Sequence, residues 1–165
     1  MFGAFPFGAA PYGSTGDQSM SGDTLRDAFR SKLDSILALN TWITWAAIDT
    51  LNTGTKPDAS TGYFEFEFPG GDEQQITTGA PGYNLFDESG QVTLRAVVRQ
   101  NAGLTERNKA EVYIETIRSS FRSARFAAGS RSVKITAASS MGGGETEAGM
   151  WAESIGLAYQ TYNVG

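Results

Sequence analysis

Glu65 and Glu67 stand two residues apart in the run YFEFEF, residues 63–68. On a strand that spacing puts both carboxylates on one face, close enough to share a metal ion or a proton. A hard cation takes about six oxygen ligands, and the sequence places no second acidic cluster to complete the set. The plainer reading of the pair is a solvated or subunit-contacting strand face. Histidine and cysteine are both absent from the 165 residues. No imidazole titrates near neutral pH, and no thiolate can attack, ligate or cross-link. No serine lies in a G-x-S-x-G context, and a triad of the usual kind is impossible without histidine. A Ser–Lys pair stays open, although Lys32, Lys56, Lys109 and Lys134 all stand in polar settings. At Gly142, Gly143 and Gly144 no Lys-Ser/Thr follows and no helical pattern begins, so the stretch fails as a phosphate cradle and reads as a hairpin connection. The expectation is no enzyme, no cofactor and no metal site.

The charges that remain suggest contacts rather than catalysis. At about 100° per residue, Arg107, Arg118, Arg122 and Arg125 crowd one sector of a helical segment, together with Glu111 and Glu115. One account is a solvated helix flank. The other is an interface where guanidinium forks meet carboxylates of an identical neighbour. Glu65, Glu67, Arg95 and Arg99, on the outward faces of two expected strands, are further interface candidates.

Two helices and about five strands must position these groups. Leu25, Phe29, Leu33 and Ile36 fall on one face of a helix predicted from Asp23 or Thr24 to about Asn40. Trp42 to Leu51 is short and β-prone, and NTGTKPDASTG, residues 52–62, is rich in turn formers. In YFEFEF, Phe64, Phe66 and Phe68 share a face opposite Tyr63, Glu65 and Glu67. Residues 69–90 read as one long loop carrying Asp72, Glu73, Asp87 and Glu88, and loops of that length are usually functional. Val92, Leu94, Ala96 and Val98 alternate inward along a strand at 91–101. A second helix is predicted over 105–125, roughly 30 Å long, with Ala110, Ile114, Ile117 and Phe121 as its buried stripe, flanked by Tyr113. Val133, Ile135 and Ala137 alternate in the next strand, GGGETEAG links it flexibly, and Ile155, Leu157 and Tyr159 alternate in the last. The pattern α-β-β-β-α-β-β predicts an α+β domain, a mainly antiparallel sheet with both helices on one face and the other face free.

Residues 1–22 are compositionally separate, with Phe2, Phe5, Phe7 and Tyr12 spaced by glycine and proline. Two readings stay open: a floppy tail, or an extended arm whose aromatics anchor in grooves of a neighbouring subunit. Residues 23–165 form the single domain. Thirteen Lys plus Arg against eighteen Asp plus Glu give a net charge of −5, which argues against a dedicated phosphate-backbone binder. No apolar run approaches the roughly 18 residues of a membrane helix. Lys and Arg are absent before Arg26, so no signal-peptide n-region is expected, and the default setting is the cytoplasm, away from any membrane.

From Leu25 to Tyr162 the chain resembles the tail terminator (minor tail protein U-like) family of long-tailed bacteriophages and gene-transfer particles. The resemblance rests on LRDAFRSKLDSILA, YFEFEFPGGDEQQ, GQVTLRAVVRQNAG, AEVYIETIRSSFRS and MWAESIGLAYQTY, in that order. The aromatic leader and the GTKPDAS stretch are additional to the family pattern. The resemblance implies a virion structural protein of the tail and neck, assembled in the host cytoplasm. Its homohexameric ring would cap the tail tube below, end tube polymerisation and join a head-completion or stopper protein above. DNA would pass through the hole without sequence-specific binding. Asp72, Glu73, Asp87 and Glu88 would then line the hole or touch the tube, their charge keeping the duplex from sticking. Two alternatives stand beside this: a neck connector, stopper or tail-tube subunit, and a small α+β ligand-binding or hydrolase domain using Glu65 and Glu67.

Overall fold

The computed structural model describes residues 22–45, 48–50, 62–68, 70–78, 84–146 and 149–164. The arm anchors Phe2, Phe5, Phe7 and Tyr12, and most of the 52–62 stretch, lie outside them. Helix α1 spans Gly22–Leu39 and helix α2 spans Gly103–Phe121. The strands are β1 (Ile48–Thr50), β2 (Tyr63–Glu67), β3 (Gly71–Gln75), β4 (Leu85–Arg99), β5 (Arg125–Ala128), β6 (Arg131–Thr146) and β7 (Met150–Val164). They form one seven-stranded sheet ordered β1-β2-β4-β7-β6-β5, with β3 paired to β4 beside that path. Every pairing is antiparallel except β1 with β2. The fold is α+β.

The predicted stripes become the core. Phe29, Leu33, Ala110, Ile117 and Phe121 are sealed from solvent against Phe64, Phe66, Leu94, Ala96 and Leu157 on one sheet face. Phe29 is the hub: its ring meets those of Phe66, Phe68, Phe121, Phe126 and Tyr159 at centroid distances of 5.1–6.1 Å. Partners from β2 and its C-terminal end, α2, β5 and β7 make one side chain the joint between α1, α2 and the sheet.

Several expectations need correction. Within the 69–90 stretch, residues 71–75 and 85–90 form a strand pair rather than a loop: Asp72 and Glu73 lie on β3, Asp87 and Glu88 on β4, in register with one another. All five β3 residues are exposed, and an edge strand held by its backbone ladder shows no apolar alternation to read. The Gly142–Gly144 stretch is not a hairpin link but the continuation of β6, opposite Ser154, Glu153 and Ala152. A Cβ on Gly143 would fall 1.9 Å from Glu153 Oε1 and 2.7 Å from the Trp151 ring, so glycine there lets both side chains lie against the strand. Bulges follow Ile135 and Ser140. The first returns Ala137 to the outer face and turns Ala138 towards the core in its place. Helix α2 stops at Phe121, four residues early, because Ser123 takes a left-handed φ of 60°. Arg125 therefore opens β5. The far sheet face is not wholly free: Tyr63, Val97 and Ala152 are buried together on it.

Candidate functional site

Where β3 leaves β4, beside the first turns of α1, the helix-side face opens into a cavity of about 310 Å³ lined by Arg26, Phe68, Glu73, Glu88, Gln91 and Tyr159. Antiparallel register sets Glu73 directly across from Glu88, and Gly71 across from Gly90. Tyr159, on β7, stands in register with Gly90. A Cβ on Gly90 would meet the Tyr159 ring at 2.9 Å, and one on Gly71 its hydroxyl at 2.6 Å. Two glycines thus let the phenol lie flat over the sheet and reach the acids. At the other wall the Arg26 guanidinium sits 5.7 Å from the centre of the Phe68 ring.

Burial pushes the Glu88 carboxyl above its ordinary 4.5; Arg131 pulls it back, Glu73 pushes further, and a hydrogen bond from Tyr159 opposes the rise. Arg131 Nη1 lies 3.5 Å from Glu88 Oε2, and both side chains are largely buried, at 8% and 13% exposure. Burial, then the charge of Glu88 and the hydrogen bond to it, push the Tyr159 phenol up to about 12. At neutral pH it stays protonated and donates. A protonated phenol beside two crowded carboxylates is poorly suited to nucleophilic attack and well suited to holding positive charge.

The residues singled out in the sequence are dispersed. Strand alternation turns Glu73 and Glu88 to the helix side and Asp72 and Asp87 to the other, where Gln160 Nε2 donates to Asp87 Oδ2 at 2.8 Å. Glu65 is only 4% exposed, and Glu67 is ion-paired with Arg95, so the two glutamates do not form an open acidic cleft. Arg107 lies 4.7 Å above the Trp151 ring and donates to the Gln100 carbonyl at 2.7 Å. Arg118 grips Glu115 through Nε and Nη2 at 2.7 and 2.6 Å, and donates to the edge carbonyl of Ala138 at 3.1 Å. Both arginines are thus spent within the chain. Arg99, Glu111, Arg122 and Arg125 are exposed. Glu111 also acts on Glu153, whose carboxyl burial raises first and the Glu111 charge second. Sequence reading missed Arg26, Arg131 and Tyr159 as site residues. Alternation turned Tyr159 inward, but nothing in the chain's order shows which strand its hydroxyl meets.

The fold defines an α+β protein with a single helical layer on a curled sheet. No family model and no curated protein matches the chain. A solved structure whose name states no function is similar over 86% of this chain and 96% of its own, with a TM-score of 0.61 and 21% identity. That likeness establishes the fold alone. Among the described residues no helix is long and apolar enough to cross a membrane, and no three acidic groups gather as a metal site would need.

Proposed function

We propose that this chain is a virion structural protein of the tail-terminator kind, forming a ring that caps a tail tube, ends its growth and joins it to the head connector. The observation that carries the reading is the fit of motif to element. LRDAFRSKLDSILA lies in α1, YFEFEFPGGDEQQ runs from β2 into β3, GQVTLRAVVR ends β4, AEVYIETIRSSF is the body of α2 and MWAESIGLAYQTY fills most of β7. The bodies of the quoted runs fall on successive helices and strands, in the order the resemblance requires. The burial of Glu65 and the Glu67–Arg95 pair weigh against the ligand-binding or hydrolase alternative.

Sedimentation and electron microscopy of the purified protein, alone and with tail tubes, test the reading. The expected result is a single closed ring that sits on tube ends and stops elongation. Filaments favour the tube-subunit alternative, and a monomer under every condition rejects assembly altogether.

A further inference from the structure

We propose that the Glu73–Glu88 cavity receives the Arg122 guanidinium of a second copy of this chain, with that copy's Arg125 beside it, in a head-to-tail contact. The inference rests on the ring reading above and names the surfaces that would close the ring.

Topology supplies the first argument. The row β3-β4-β7-β6-β5 crosses the sheet, so Glu73 stands at one border while Arg125 opens the strand at the other, next to Arg122 at the end of α2. A ring needs two different complementary patches on opposite sides of the subunit, and these borders provide them. Charge supplies the second. Arg122 and Arg125 are exposed and have no ion pair among the described residues, and the same is true of Glu73 on the acidic side. Arg131, at 3.5 Å, only partly offsets Glu88, whose carboxyl stays raised. Arg26 and Arg131 stand nearer Phe68 and Glu88, so the acid left for an incoming cation is the exposed Glu73, which faces Glu88 across the strand pair.

Size completes the case. At about 310 Å³ the cavity has room for a side chain as long as arginine. The Phe68 ring is already covered by Arg26, so the incoming guanidinium is directed to the acid side of the cavity.

Three variants test this by sedimentation velocity at low and high salt: Glu73→Lys, Arg122→Glu with Arg125→Glu, and all three changes in one chain. The first two are expected to weaken ring formation at least tenfold, and the combined variant, its charges exchanged, to recover it. Recovery shows that the single-sided variants fold. Wild-type rings that survive both one-sided reversals overturn the inference and leave the ring reading standing. So does a combined variant that remains as dissociated as its parents. Wild-type monomers at every concentration, with and without tail tubes, overturn the ring reading and this contact with it.

Discussion

Tyr159 couples burial strongly to proton affinity. Its phenol is raised to about 12 from an ordinary 10, so the folded state keeps a proton that the unfolded chain gives up first. The stabilisation is complete below pH 10 and disappears as pH climbs from 10 to about 12. Two units correspond to about 2–3 kcal/mol. Urea unfolding of wild type and Tyr159→Phe should therefore show a steep loss for wild type in that window and a shallower one for the variant. Glu88 acts in the same sense at the acid end. Its raised carboxyl contributes stability below 4.5 that is lost as pH rises through the folded value, so ionised Glu88 opposes folding at neutral pH. Gly90→Ala forces the Tyr159 ring off the strand, and a cost of about 1–3 kcal/mol is expected, read as a lower urea midpoint with an unchanged slope.

Among the elements, α1 is fastened chiefly by Phe29. Phe29→Ala removes the ring that five others touch, and about 3–5 kcal/mol of stability should go with it in denaturant unfolding. The stripe that makes Phe29 a core residue was legible, because a helix that packs on a sheet must repeat its apolar positions every three to four residues. The inward faces of β4 and β7 were legible for the corresponding reason at period two. β3 and β5 were not. Five exposed residues, GDEQQ, become a strand only because β4 extends past β2 and offers a free ladder. Arg118 shows the same limit: helical spacing grouped it with Arg122, but the edge carbonyl of Ala138 that it holds comes from β6. Arg118→Ala is expected to cost about 1 kcal/mol, a typical net hydrogen-bond contribution, and to speed amide exchange along the outer half of β6.

At the scale of the whole molecule, the sheet separates the four acids that the sequence grouped. On the ring reading, Glu73 and Glu88 belong to the subunit contact, and Asp72 and Asp87, on the opposite face, are left for the central hole. Replacing Asp72 and Asp87 by asparagine should leave ring mass unchanged and slow DNA passage through assembled particles; unchanged ejection kinetics would remove them from the hole. What the amino-acid order determined alone was the fold class, the inward stripes of both helices and the chemistry ruled out by missing His and Cys. Periodicity and composition are local properties, and each element carries its own. The cavity, the burial of Glu65 and the partition of the acids were decided by tertiary structure. Each depends on which strands become neighbours and in what register, and a one-residue slip would turn every one of those side chains to the other face.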